Sequence, residues 1–379
     1  MRIGVNTRLL LAGKMDGIGW FTAETIRRIV LAHPEHDFYF FFDRRPDPGF
    51  IYASNVHPVV LCPQARHPIL WFLFFEGSVA RALRKYKIDL FLSPECYMSL
   101  RSKVPTLMVI HDINYEHSKD NLKSSHQRYM AFFSPKFARR CTRIATVSEF
   151  SKKDIVDTYK ISPDKIDVVY DGAHVGYHPL DSVLKQHVRN DYTLGCPYFI
   201  FVGTIIKRKN LATVLTAFDS FKNNSGNEMK LVVVGHKVWW QDELKAAFDC
   251  MKHKEDVIFI GRANSDLLVN LMGAAEALVY PSLFEGFGIP IIEAFHAEVP
   301  VITSNCTSMP EVAGDAALLV EPKDANMLAS AMQAVSSDVC LREELIEKGR
   351  RRRDLFSWDK TAELLWDSMM KTMEIGTRG

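Results

Sequence analysis

YPSLFEGFGIPIIEAFHAEVP, residues 280–300, runs from a strand-like segment through a glycine turn into a helix. Glu285 and Glu293 stand in it with seven residues between them, around Gly286-Phe287-Gly288. A turn of small residues bares backbone N–H groups, and the helix behind it adds the positive end of its dipole, so this stretch suits an anion or sugar hydroxyls. A strand that turns directly into a helix is the unit of a parallel α/β sheet.

The same alternation extends outward over most of the chain. Upstream, strands are expected at 2–6, 38–42, 59–62, 89–93, 106–110, 143–147 and 166–170. Buried parallel strands read in this way, as continuous runs of branched and aromatic residues. A loop containing Gly13, Gly17 and Gly19 precedes a helix with Ala23, Ile26, Ile29 and Val30 inward and a Glu24–Arg28 pair outward. Periodicity lapses between 178 and 197, which reads as a linker. A second series follows, with strands at 198–202, 230–234, 257–260, 277–280, 299–303 and 316–320, Asn210 and Ser265 as helix N-caps, and closing helices at 341–353 and 358–373. At 379 residues the chain exceeds what one hydrophobic core organises. Two Rossmann-like α/β domains are therefore expected, over 1–180 and 181–355.

Composition removes several classes. With 47% apolar and 24% charged residues and a net charge of +2, nothing calls for a nucleic-acid partner. The seven cysteines are scattered and never form CxxC, which suits a reducing compartment with neither a disulfide frame nor a zinc site. The N-terminus enters a strand without a charged-then-apolar leader, and the apolar run at 69–75 is too short to span a bilayer, so a soluble or peripheral protein is expected. That run and Arg81, Arg84, Lys85 and Lys87 fit either a core helix with a solvated basic face or a helix pressed onto an anionic membrane.

Ligands of open α/β sheets bind beyond the carboxyl ends of the strands. That singles out the loops at 13–19, 111–112, 203–210, 235–236, 261–262 and 282–288. Lys207, Arg208 and Lys209 lie between a strand end and a helix start, where Arg forks phosphate oxygens and Lys supplies a compact charge; the plain alternative is a solvated basic loop. His111 ends a strand and reads either as a partner for a sugar hydroxyl or as a satisfied core histidine. Glu293, embedded in Ile291-Ile292-Glu293-Ala294-Phe295, needs a partner for its buried carboxylate, and ribose hydroxyls would serve. GxGxxG is absent, and so are an Asp-x-Asp pair and His/Cys ligand spacing. No metal-bridged diphosphate is expected, and protein cations must neutralise any that binds.

EGFGIPIIEA, with PS before it and PVITS and MPEVAGDAALLVEPKD after it, resembles the retaining glycosyltransferases of family 4 with the GT-B fold. GIGWFTAETIRRI, VIHDINYEH, ATVSEFSKKDI, VVYDGAH, FVGTIIKRKNL and FSWDKTAELL fit the same pattern, and the branch resembled holds bacterial mannosyltransferases of surface-polysaccharide assembly. The resemblance implies an N-terminal acceptor domain, a C-terminal donor domain facing it across a cleft, and a final segment, 356–379, that packs back on the first. It implies that Glu285 and Gly286, Phe287 and Gly288 hold the donor sugar, Glu293 the ribose, and Arg208 and Lys209 the diphosphate. Gly203 belongs to that phosphate loop, Gly261 and Arg262 would border the base, His111 would face the sugar, and Gly17 and Gly19 would lie beside diphosphate and acceptor. Thr204 stands where many relatives carry arginine, which throws more charge compensation onto Arg208 and Lys209.

The activity implied is transfer of a hexose, with mannose from GDP-mannose the leading choice, from a nucleoside-diphosphate sugar to a glycan or lipid-linked glycan. It needs no cofactor or metal, retains the anomeric configuration, and proceeds in the cytoplasm or on the inner face of the membrane. Same-face attack and double displacement are not separated by the residues alone. A nucleotide-sugar epimerase and a non-catalytic nucleotide-sugar-binding subunit remain as alternatives.

Overall fold

The computed structural model describes residues 1–118, 124–236 and 242–378. The chain forms two units, Met1–Asp171 with Trp358–Gly379, and Gly172–Ser357. The first break falls ahead of position 180, and the stretch read as a linker contains a helix, Ser182–Thr193, of the second unit. Only Val188 and Thr193 of that helix are buried, too few for an apolar period to show. Polar contacts hold it instead: Arg189 donates to the Ala274 carbonyl at 2.9 Å and to the Glu276 carboxylate at 2.8 Å.

The first unit is built on a seven-stranded parallel sheet, β1 (Arg2–Asn6), β2 (Asp37–Phe42), β3 (Val56–Val60), β4 (Leu90–Ser93), β5 (Thr106–Ile110), β6 (Arg143–Thr146) and β7 (Ile166–Val168), in the order β3-β2-β1-β4-β5-β6-β7. β3 lies earlier than the expected 59–62. Its register pairs Val56 with Phe38 and Val60 with Phe42, and Pro63 has no N–H with which to extend the ladder. It is an edge strand with alternate residues exposed, so Pro58 is tolerated and no continuous apolar run marks it. β7 is also shorter than expected.

The expected loop at Gly17 to Gly19 is the first turn of the helix Gly17–Ala32, because Asp16 caps it by accepting the Gly19 N–H at 3.0 Å. Ala23, Ile26, Ile29 and Val30 are buried, and Glu24 pairs with Arg28 at 2.5 Å. The last helix, Trp358–Arg378, packs in this unit, where Thr361 bonds the Tyr170 carbonyl and Ser368 bonds Asp167, both at 2.6 Å.

The second unit carries a six-stranded parallel sheet, β8 (Tyr198–Val202), β9 (Lys230–Val234), β10 (Val257–Gly261), β11 (Ala277–Tyr280), β12 (Val301–Ser304) and β13 (Ala317–Val320), ordered β10-β9-β8-β11-β12-β13. β12 begins two residues later than expected, since Val299 closes the preceding turn by bonding the Ala294 carbonyl at 2.9 Å. The helix expected to be capped by Ser265 is capped by Asn264, whose side chain accepts the Leu267 N–H at 2.9 Å. Phe199, Phe201, Leu231, Val233, Phe218 and Phe221 lie in its buried core. In both sheets the chain starts at a central strand, winds one way and then returns to wind the other, so the order reverses between β1 and β4 and between β8 and β11.

Candidate active site

The reversal in the second sheet brings the loops after β8 and β11 side by side at the carboxyl edge. Ladder-like bonds tie the β8 loop to the end of β9, with Gly203 donating to Val234 at 2.9 Å and Ile205 to His236 at 3.1 Å, and the end of β9 to that of β10, with Gly235 donating to Gly261 at 2.8 Å. Gly235 must be glycine, for a Cβ there would stand 1.8 Å from the Gly203 carbonyl oxygen. Lys207–Lys209 then form one 3-10 turn from which Arg208 and Lys209 reach the β11 loop, while Lys207 lies 3.9 Å from Glu243.

Arg208 Nη1 lies 2.5 Å from Glu285 Oε2 and 2.7 Å from the Phe284 carbonyl oxygen. Lys209 Nζ lies 2.6 Å from Glu285 Oε1 and donates to the Tyr280 hydroxyl at 2.5 Å. Burial by itself would raise the Glu285 pKa, but the charges and hydrogen bonds of Lys209 and Arg208 overcome it and hold the carboxyl down at about 2. The outcome is a buried carboxylate clamped by two cations from another strand's loop. Asn210 is not the side-chain cap expected of it. Its φ is +62°, and its amide instead donates to the Pro281 and Pro322 carbonyls at 3.0 and 2.5 Å, fastening the two loops.

The glycine turn is fixed from below by Ser308, whose Oγ lies 2.9 Å from the Glu285 carbonyl and 2.8 Å from that of Phe287. Gly288 takes φ +112°, a conformation other residues rarely adopt, and starts the helix Ile289–His296. The Phe287 ring is buried against Phe356, 5.4 Å between centroids, so a ligand role for Phe287 falls to its backbone.

Glu293 differs from Glu285 in kind. Burial pushes its carboxyl up to about 7, with only the Tyr177 hydroxyl bond opposing the rise. Among the described residues no cation reaches it, so it takes up a proton far more readily than Glu285 and is suited to exchange hydrogen bonds with hydroxyls. Gly261 and exposed Arg262 lie at the end of β10, two strands from β8.

In the first unit His111 directly follows β5, with its ring half-buried. Its Nε2 bonds the Pro94 carbonyl at 3.0 Å, which fixes the proton there and leaves Nδ1 an acceptor, and Phe21 meets the ring edge-on at 4.8 Å. Burial pushes its pKa down despite that bond, so the imidazole is neutral. Of the two sequence readings, the ring satisfies the core-histidine one at Nε2. Gly17 and Gly19, in the same unit, occupy the capped helix turn described above.

Tyr280, Ser308 and Tyr177 are not singled out by the sequence, and Asn210 is marked there only as a helix cap. Tyr280 was the most accessible of them, being the last strand residue before the turn, whereas Ser308 and Tyr177 reach the site only through the fold. A cavity of about 450 Å³ behind the basic turn is bordered by Lys207, Asn210, Leu244 and Lys323 but by neither Arg208 nor Lys209, and is separate from the clamp.

Residues 15–176 match the Glycosyltransferase Family 4 model and residues 185–352 the Glycosyl transferases group 1 model. The chain is 28% identical over 357 residues to the Escherichia coli O-antigen chain mannosyltransferase B, covering 91% of this chain and 93% of that protein. It is 28% identical over 272 residues to the O-antigen chain mannosyltransferase RfbU of Salmonella typhimurium, covering 71% of each. Among solved structures, sucrose-phosphate synthase of Thermosynechococcus elongatus superposes with a TM-score of 0.77 at 17% identity, covering 98% of both chains. WaaG, a glycosyltransferase involved in lipopolysaccharide biosynthesis, does so at 0.73 and 17%, covering 97% of this chain and 99% of its own. Two Rossmann-like parallel-sheet units of the GT-B type, each matched by its own domain model, show that the chain belongs to the glycosyltransferases that join a family 4 domain to a group 1 domain.

Proposed function

We propose that this protein transfers a hexose, with mannose the first choice, from a nucleoside-diphosphate sugar to a hydroxyl of a glycan or lipid-linked glycan, retaining the anomeric configuration and using no metal. The observation that carries this reading is the clamp of Arg208 and Lys209 on Glu285 at the reversal of strand order. Two fixed cations beside a helix start suit a leaving diphosphate, whose growing negative charge they stabilise without reorganising. Glu285 and the turn Gly286 to Gly288 take the donor sugar, Glu293 the ribose, Gly203 the phosphate loop, and Gly261 with Arg262 the base. His111, Gly17 and Gly19 are assigned to the first unit's share of the substrates.

In this reading the bond from the anomeric carbon to the diphosphate oxygen breaks as the acceptor oxygen bonds to the same face, and the acceptor's proton passes to the departing phosphate oxygen. Double displacement would need a carboxylate nucleophile at the anomeric carbon. Support for same-face attack comes from the partners already held by both glutamates, Glu285 by two cations and Glu293 by Tyr177.

Mannose is favoured by relatives named as O-antigen chain mannosyltransferases. UDP is the competing nucleotide, since a neighbour of 15% identity was solved with UDP and glucose. Thermal shift with GDP, UDP and ADP should rank the bases, because a ligand selective for the native state raises stability by mass action. Transfer from the matching sugar nucleotide, read by NMR for anomeric configuration with and without EDTA, then tests the chemistry. An inverted product, a strict need for added divalent metal, or donor binding with neither transfer nor donor hydrolysis across an acceptor panel would each overturn the corresponding part.

Peripheral action on the cytoplasmic face of a membrane belongs to the same reading. No helix among the described residues is long and apolar enough to cross a bilayer. Supporting surface contact, Ile69, Phe72, Leu73 and Phe132 are exposed, and Lys136 Nζ stands 3.1 Å from the Phe132 ring centroid. The helix Ser124–Arg140 contains no acidic residue. Co-sedimentation should require phosphatidylglycerol in phosphatidylcholine vesicles and weaken with salt and in Phe72→Ser/Phe132→Ser. Equal sedimentation with neutral vesicles, or none with either, would remove the membrane from this reading.

A further inference from the structure

Past the helix Gly17–Ala32 the chain turns through His33-Pro34-Glu35-His36 before β2 starts at Asp37. Glu35 Oε1 stands 3.4 Å from His33 Nδ1 and 3.3 Å from His36 Nε2, and the ligand atoms of the three side chains all lie within 4.8 Å of one another. A tetrahedral ion bound at roughly 2.0–2.1 Å by nitrogen and carboxylate ligands has ligand-to-ligand edges of about 3.3 Å. Two of the three edges already have that length, and only the distance between the two imidazoles needs to close.

Trp366, from the last helix, holds the rings in place. It stacks on His33 with centroids 3.6 Å apart at 16°, and on His36 at 5.4 Å and 23°, while the two imidazoles stack at 6.0 Å. Stacking restricts the ring planes but leaves the in-plane nitrogens directed at the carboxylate. One carboxylate oxygen meeting two imidazole nitrogens is satisfied either by an N–H from each ring, with His36 Nδ1 accepting from the Met1 ammonium at 3.3 Å, or by a cation among all three, for which the Met1 ammonium moves aside or gives up its proton. Imidazole with carboxylate favours zinc and its neighbours over magnesium or calcium.

We propose that His33, Glu35 and His36 form a binding site for a zinc-class divalent cation, with water completing the shell. The site lies at the amino edge of the sheet, where β2 begins, opposite the edge at which β5 delivers His111. It secures the end of the first helix beneath Trp366 of the last helix and takes no part in sugar transfer, so it stands independently of the proposed activity.

The test uses full-length, tag-free protein with thiols blocked, since Cys62, Cys250 and Cys340 are exposed. Calorimetric titration with zinc should show one ion per chain with micromolar affinity. His33→Gln and His36→Gln should each weaken binding about tenfold or more, with circular dichroism and transfer activity unchanged. Copper(II) should quench tryptophan emission at the same stoichiometry, and most of that quench should vanish in Trp366→Phe. Absence of saturable zinc binding up to millimolar metal, or equal binding in wild type and both glutamine variants, would overturn the assignment.

Discussion

Lys209→Ala is expected to lower kcat for transfer by about 10²–10³-fold, the usual loss when one preorganised group that stabilises developing charge is removed. Lys209 earns this expectation from its anchoring. Its ammonium is oriented by Glu285 Oε1 at 2.6 Å and by the Tyr280 hydroxyl at 2.5 Å, and its stem lies against Gly203, where an added Cβ would meet Lys209 Cε at 3.3 Å. In the proposed mechanism a charge held in this way would stabilise the leaving diphosphate more than the bound ground state, so kcat should fall further than KM rises. Lys209→Arg should recover only part of the rate, because a planar fork does not reproduce a compact charge in that slot. Steady-state kinetics with unchanged circular dichroism checks the prediction, and full turnover by Lys209→Ala would remove leaving-group stabilisation from the proposed mechanism.

Glu285→Gln should have the largest effect on stability. With its carboxyl held at about 2 against an ordinary value of 4.5, the ionised group contributes on the order of 3 kcal/mol at neutral pH. The sign follows from proton binding. The folded state binds the proton more weakly than the unfolded chain, so the contribution is complete above about 4.5 and is lost as pH falls through about 2. Denaturant melts should therefore show the variant less stable than wild type at pH 7, with the gap narrowing below pH 4.5. Part of the loss at pH 7 is the cost of leaving Arg208 and Lys209 without their buried carboxylate. A gap that stays constant from pH 7 to pH 3 would mean that packing, and not the charge clamp, accounts for Glu285.

Most of the fold was legible because central parallel strands are buried on both faces and read as unbroken apolar runs. β5, β8 and β11 are wholly buried and begin and end where the sequence placed them. Boundaries drifted where burial is one-sided. β3 alternates at the edge of its sheet and was displaced towards the more apolar residues after it, while the helix Ser182–Thr193 buries too little to announce itself. The His33-Pro34-Glu35-His36 turn passed unnoticed because its spacing matches no usual ligand pattern, and Trp366, which organises it, lies at the far end of the chain.

By itself the sequence determined the parts of the site: a glycine turn between two glutamates, and a basic turn between a strand and a helix. These are local properties, written in residue type and period. Only the tertiary structure decided the partners. Arg208 meets Glu285 across 77 positions because β8 and β11 are adjacent where the strand order reverses, a pairing no local period reports. The same placement separates the two glutamates in charge. Cations hold Glu285 ionised, whereas burial pushes the carboxyl of Glu293, eight positions on, up to about 7 against the opposing bond of the Tyr177 hydroxyl.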